Sequence, residues 1–533
     1  MEHQSVKPLK FFPWLGQTLL DSIVKFGKWL LDVIWAVVKA FINIFVYAYK
    51  VILFVFRFVY NWIKNLVHMF VKGNWKTRLS YVFMGSGHIF NGQIAKGLIY
   101  LVLQVAFIIY LFLPSGGIHW IQQINIFNSP GGDGMIWIGD LGTTYSYIIN
   151  KPGFGMDPYL SRSIGQNASN SMLIILYWLL TVGLIIAFIA LYNANIKGAY
   201  KIQVLKENAR HVPTFKEEAS QLLDEKFHVT ILAYPVLTIL VFTILPLIFM
   251  ILLAFTNASL HYFPPASRFA WVGLDTFTKL FGDSGSWAFA LGEILSWTIL
   301  WAVLATFSNY IGGMILAMII NKKGIKFKRV WRTFFVISIA IPQFITLSMI
   351  AKFLGSDGPL MSLLVRIGWL DSTVNIFATT ASARTAIVLI NMWVGVPYTM
   401  LITSGILMNI PDELYESARI DGAGPVRQFF SITLPYMLYV TGPYLITQFI
   451  GNMNNFNVIF FLTGGGPDQT RGGVTYGKTD LLITWLYDLT IGGVRKEYAI
   501  GSSIGIISFL ISAFISLIMF SRSSAETQQG DFA

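Results

Sequence analysis

The chain lacks cysteine altogether, and only 12% of its 533 residues are charged, about half the share of roughly 25% usual in soluble globular proteins. Without cysteine there are no disulfides, thiolate metal sites or cysteine nucleophiles. Acidic side chains are the scarcer sign, 26 against 38 Lys and Arg, so the net charge is +12. What is abundant is apolar residues, 55% of the chain. Together these values exclude disorder, a collagen-like fibre and an ordinary soluble enzyme. The N-terminus carries no short apolar run with a small-residue cleavage site, so no removable signal peptide is expected.

A spanning helix needs about 20 mainly apolar residues. Eight stretches qualify: 94–113, 171–192, 227–255, 291–319, 334–353, 384–408, 436–462 and 497–520. Lys and Arg are retained on the cytoplasmic side. With both termini inside, 26 of the 38 basic residues fall in cytoplasmic segments and eight in outer loops, so this orientation is expected. The densest cluster, Lys322, Lys323, Lys326, Lys328, Arg329 and Arg332, marks a cytoplasmic loop, with nucleic acid or lipid as a lesser reading. The outer loop 114–170 is rich in Gly, Ser and Asn and is expected to form a small cap.

Residues 26–67 are almost wholly apolar apart from a stripe of ten polar positions running from Lys25 to His68, every gap being 3, 4 or 7. On a helical wheel these fall within about 60°. As a helix the stretch would run about 65 Å, roughly twice the hydrocarbon thickness, so it is expected to lie in the interface, stripe toward headgroups. An anchoring role and a partner-helix or regulatory role both fit.

Catalytic patterns are few. The run Gly472-Gly473-Val474-Thr475-Tyr476-Gly477-Lys478-Thr479 matches the P-loop pattern literally. That motif works only between a buried strand and a helix, whereas this copy lies in a short outer loop. A glycine-rich turn is expected, not a nucleotide site. No HExxH, paired Cys/His or GxSxG site is present, and the seven histidines are scattered, so no catalytic residue or metal site is expected.

The segment 409–435 reads as two short helices forming a cytoplasmic knob. Pro411 suits the first helical position, Asp412 and Glu413 complement the dipole, and Gly422 can end the helix in the left-handed region. Pro425 starts a second helix, expected to stop before Pro435. Small residues, Ser417, Ala418 and Ala423, allow close approach by a partner protein.

Glu416-Ser417-Ala418, Gly422 and Ile432-x-Leu434-Pro435 resemble the EAA coupling motif of permease subunits in binding-protein-dependent ABC importers, with Ser417 in place of the second alanine. A closer resemblance covers roughly 227–520. Arg384-Thr385-Ala386, the run Asn391 to Tyr398, Asn454-Asn455-Phe456, Thr463 to Asp468 and Thr479-Asp480-Leu481-Leu482 look like the maltose-transporter MalF type. The resemblance implies an all-α polytopic membrane protein of about eight transmembrane helices with a six-helix ABC importer core.

The expected organisation is an N-terminal amphipathic extension (1–78), accessory helices (79–226), a permease core (227–520) and a cytoplasmic tail (521–533). The chain lacks the large folded outer insert of the best-known members. By resemblance, ATPase coupling falls to Glu416, Ser417, Ala418, Asp421, Gly422 and Ala423. Implied partners are a MalG-like second permease subunit, two ATPase subunits carrying ATP and Mg, an extracellular sugar-binding protein and the bilayer of a bacterial plasma membrane. No nucleic acid, and no cofactor bound by this chain, is expected.

Polar groups within hydrocarbon usually face a cavity or another helix. Here they are Gln343, Asn391, Tyr398, Gln448, Asn452, Asn454 and Asn455, all neutral. Amides and aromatic rings suit a neutral polyhydroxylated solute, although such amides also hold helices together. The MalF resemblance points to substrate contact at Asn391, Gly395, Tyr398, Asn452 and Asn455. Gln343 and Gln448 stand at contacting positions with a different residue type. The expected function is a permease for maltose or maltodextrin. Alternatives are another oligosaccharide, a glycerol phosphate or a membrane-embedded glycan enzyme.

Overall fold

The structure, a computed structural model, describes residues 46, 49–51, 53–113, 117–118, 171–260, 271–282, 285–322, 324–493 and 496–521. Its packing divides the chain into two units, 1–68 with 513–533 and 69–512. In the first, residues 53–68 are helical and expose Phe54, Phe56, Phe58, Tyr60 and Val67. The earlier part of the N-terminal stripe and the outer cap 119–170 lie outside the described residues.

Within 69–512, α1 (Ile94–Phe112) and α2 (Ser171–Glu207) rise from a buried polar hub. The Asn195 amide accepts from the Gly85 N–H at 2.9 Å and donates to the Ser80 carbonyl at 3.2 Å. Buried His88 meets Gln93 at 2.9 Å, and burial holds its imidazole below the usual histidine range. A short amphipathic helix, α3 (Phe215–Leu223), docks here through a 2.6 Å ion pair between Glu218 and Lys96. α2 overshoots the expected span at its charged end because the helix carries on past the apolar run through Lys197, Lys201 and Lys206.

Further helices include α4 (Phe227–Leu253), α5 (Ser286–Asn321), α6 (Lys328–Ala340), α7 (Gln343–Leu354), α8 (Thr380–Leu407), α9 (Asp412–Ile420), α10 (Pro425–Met453), α11 (Phe456–Leu462), α12 (Leu482–Tyr487) and α13 (Tyr498–Ser521). Between α11 and α12, β1 (Asp468–Arg471) pairs antiparallel with β2 (Val474–Gly477). Among the described residues, seven helices are long and apolar enough to cross a membrane, eight if the bent pair α6–α7 counts as one span. α5 is the axis. Along its length, its buried residues enter a cluster with Trp485 and Ile504 near its start, one with Trp301 and Ile387 in the middle, and others with Tyr310, Met314, Met400 and Met437 toward its end.

Prolines account for the departures from the expected spans. The stretch 334–353 is not one straight helix. Its two arms meet at 89°, because the residue before a proline avoids the helical region and Ile341 is extended, with φ −84° and ψ 130°. Conversely, the helix begun at Pro425 does not stop before Pro435 but continues to Met453. A π-helical turn at Phe429–Thr433 precedes that proline, and another at Leu240–Ile244 precedes Pro246. Widening the turn makes room for the ring and for the missing N–H. The expected span 436–462 breaks at Asn454, and Asn455 caps α11 by accepting from the Val458 N–H at 3.2 Å.

Candidate functional site

The expected site residues fall on three of these helices and at two helix breaks. On α8, Asn391, Gly395 and Tyr398 share one face, since steps of four and three residues return nearly to the same side. Asn391 is buried, and its amide nitrogen has no partner. Gly395 lies against Asn309 of α5, where a Cβ would collide with the amide. Tyr398 is 46% exposed. α8 runs unbroken through Pro397.

On α10, Gln448 and Asn452 share a face with Thr441 and Tyr444. They meet Thr306, Asn309 and Tyr310 of α5 and Thr399 of α8 around a chamber of about 10 Å³, room for about one water. Asn452 donates to the Thr306 hydroxyl at 2.9 Å, and its carbonyl accepts from the Trp301 indole at 3.1 Å. Tyr310 meets Thr441 at 2.7 Å. Asn309 Oδ1 and the Tyr444 hydroxyl are buried without a partner. The chamber lining is polar and carries no charged side chain.

Gln343, Asn391, Gly395, Tyr398 and Asn455 do not line this chamber. Gln343 opens α7 immediately after the bend at Pro342. Asn454 faces α13, where Ser508 donates to its amide oxygen at 3.3 Å. Thr306, Asn309, Thr399 and Tyr444 are the additions made by the fold. Asn309 carried the same signal as the named amides, a polar residue inside an apolar span. The threonines did not, because a hydroxyl can return its hydrogen bond to its own helix. A separate apolar cavity of about 390 Å³ lies between the bent pair α6–α7 and α8, lined by Phe334, Phe335, Ile341, Met392, Trp393 and Pro397.

At one end of the bundle, α9 and the start of α10 form the knob. Pro411 is the N-cap rather than the first helical residue, so the helix begins at Asp412. Gly422 has φ +75°, with Ala423 N–H to Ala418 carbonyl at 2.8 Å and Gly422 N–H to Arg419 carbonyl at 3.0 Å, a Schellman closure. Tyr415 meets Thr433 at 2.9 Å and ties the two helices together. Glu416, Ser417, Asp421 and Gly422 are exposed, Ala418 and Ala423 half-buried, and Ile420 is 87% exposed.

At the other end, the P-loop look-alike is a hairpin turn: Gly472 and Gly473 both have positive φ, at 53° and 80°, as a two-residue turn of this kind requires. Lys478 pairs with Glu293 of α5, which also accepts from the Tyr476 hydroxyl at 2.7 Å. The strings Thr463–Asp468 and Thr479–Leu482 close on each other. The Thr479 hydroxyl donates to the Gly465 carbonyl at 2.7 Å, and buried Asp480 accepts from the Gly477 N–H at 2.8 Å. Burial pushes the Asp480 carboxyl up to about 7. Arg384 clamps the Lys478 carbonyl with two hydrogen bonds, at 3.0 and 2.7 Å, and stacks on Trp297 at 4.2 Å.

Residues 309–524 match the family model described as the binding-protein-dependent transport system inner membrane component. The chain is 31% identical over 455 residues to the maltodextrin transport system permease protein MalC of Streptococcus pneumoniae, covering 84% of this chain and 95% of that one. It is 35% identical over 327 residues to the galactooligosaccharides permease GanP of Bacillus subtilis, covering 61% and 77%. Identity to the maltodextrin permease MdxF of the same organism is 28% over 468 residues, covering 86% and 98%. The chain therefore belongs to the family of inner membrane components of binding-protein-dependent transport systems.

Proposed function

We propose that this chain forms half of the translocation path of an ABC importer for a neutral oligosaccharide, with maltodextrin as the first candidate. The observation that carries this reading is the uncharged polar chamber between α5, α8 and α10. Hydroxyls and amides can exchange hydrogen bonds with sugar hydroxyls as a path opens, whereas a phosphate or carboxylate solute would call for Arg or Lys. The likeness to two maltodextrin permeases supports the same substrate class. The 35% identity to a galactooligosaccharide permease favours a second reading, another neutral oligosaccharide.

In this mechanism the Asn391–Gly395–Tyr398 face of α8 and the Gln448–Asn452 face of α10, with Asn455 and Gln343 at the helix breaks, supply the sugar contacts. A second permease subunit of MalG type completes the path. A sugar-loaded extracellular binding protein docks on the outer loops. Two ATPase subunits, which bind ATP and Mg, close and push the α9 knob through Glu416, Ser417, Ala418, Asp421, Gly422 and Ala423. Both termini lie in the cytoplasm. Loss of one buried hydrogen bond costs about 1–3 kcal/mol, and a factor of ten corresponds to about 1.4 kcal/mol. Asn391→Ala with Asn455→Ala is therefore expected to cut uptake of labelled maltotriose more than tenfold while subunit co-purification stays unchanged. Normal uptake of maltotriose and of a galactotriose by that double variant would overturn the site assignment.

A further inference from the structure

A cavity with aromatic and acidic lining lies under the outer hairpin, and it shares no lining residue with the chamber. It measures about 430 Å³ and is lined by Trp287, Tyr476 and Trp485 together with Asp468, Asp488 and Glu497. That volume lies within the range of small-ligand pockets, several hundred Å³, and exceeds what a single lysine or arginine head would fill. Trp287 is half-buried, and its ring lies 6.0 Å from that of Trp485. Trp485 is 1% exposed, and its indole N–H has no hydrogen-bond partner. An unpaired buried donor beside a cavity calls for an acceptor from outside the protein.

The carboxylates add a second requirement. Asp468 and Asp488 sit close enough to repel each other, and Lys496 pulls against that repulsion at Asp488. Lys478 pairs with Glu293, and Lys496 donates to the Ile491 carbonyl. Such a pair repels anions and accepts hydroxyl hydrogens, while an indole face packs against the C–H face of a pyranose ring.

We infer that this cavity is an outer-face glycosyl subsite, in which one terminal sugar unit of the incoming oligosaccharide stacks on Trp287 and donates hydroxyls to Asp468 and Asp488. The inference rests on the sugar-import reading above and extends it to the entrance. The same carboxylates exclude phosphorylated and uronic sugars there. Burial, with Asp468 as the next cause, pushes Asp488 up to about 6, against the opposing pull of Lys496. Asp480, buried nearby, is raised further, to about 7. Affinity at the subsite should therefore fall as pH drops through about 6, since a protonated Asp488 accepts more weakly.

The test uses the chain co-purified with its associated subunits in nanodiscs, in the Asn391→Ala/Asn455→Ala background that disables the core contacts. Maltotriose and galactotriose are titrated by tryptophan fluorescence and calorimetry at pH 5 and pH 7.5. The expected result is saturable binding of at least one of them, weakened tenfold or more by Asp488→Asn and by Trp287→Ala and weaker at pH 5. Thermal melting shows that both variants remain folded. The subsite is overturned by no binding in that background, or by binding indifferent to both variants. Displacement of the sugar by N-acetyl-lysine methylamide with higher affinity than either sugar also overturns it, in favour of a basic side chain as occupant. If wild-type uptake is sugar-specific while the subsite fails, the import reading stands; if the subsite binds but Asn391 and Asn455 prove dispensable for uptake, only the core assignment falls.

Discussion

Residue by residue, the chamber separates hydroxyls that have found a partner from those that have not. Tyr310 and Tyr444 lie on its wall within one bundle, yet only Tyr310 has a hydrogen bond, to Thr441 at 2.7 Å. Tyr310→Phe should lower stability by about 0.5–1.5 kcal/mol by removing that bond. Tyr444→Phe should be neutral or stabilising in detergent melting curves, since it removes a buried hydroxyl that is already unpaired. Equal losses in the two variants would show that Tyr444 is satisfied after all. The same contrast separates Asn452, tied to Thr306, from Asn391, whose amide nitrogen is unpaired. Both were legible in the sequence as amides inside apolar spans. Which of them is already occupied was not, because their partners lie 146 residues away in one case and are absent in the other.

At the level of elements, the knob shows how one backbone angle organises two helices. Gly422 at φ +75° turns the chain so that α9 ends and α10 begins within a few residues. Proline fixes φ near −65°, so Gly422→Pro cannot keep the Schellman closure. In the assembled importer, ATP hydrolysis should then persist while sugar uptake falls to background; unchanged uptake would argue against a coupling role. The glycine, the paired prolines and the acidic first turn made this element readable from local sequence. The continuation through Pro435 was not readable, because the π-helical turn that accommodates the proline is held by packing against α5 and α9, which local sequence does not reveal. The 89° bend at Pro342 was half legible: the proline announces a break, but its angle depends on what each arm packs against.

For the whole molecule, the absence of cysteine makes the topology directly testable. A single cysteine at Lys326 should react with an impermeant maleimide only in inside-out vesicles, and one at Thr475 only in intact cells with a permeable outer layer. Each is an exposed position, the first in the basic loop and the second on the hairpin. Labelling from the opposite side would invert the assignment. The clasp around Arg384 illustrates what the molecule does with distant strings. Arg384, Thr463–Asp468 and Thr479–Leu482 are separate in sequence and become one hydrogen-bonded corner over Trp297.

By itself the sequence determined the membrane class, the number of spans, the charge asymmetry and the family, because these depend on composition and on short periodic or contiguous patterns. The low charge of the spans followed as well, since they contain few ionisable groups. Only the tertiary structure decided which polar residues meet. It set Asn309, Thr306 and Tyr444 around Gln448 and Asn452, and it left Gln343, Asn391, Gly395, Tyr398 and Asn455 outside that chamber. It also turned a P-loop look-alike into a hairpin and placed an acidic, aromatic cavity beneath it. The reason is physical. Burial, unpaired donors and cavities are properties of contacts between helices, and a linear pattern specifies each helix face without specifying the face opposite.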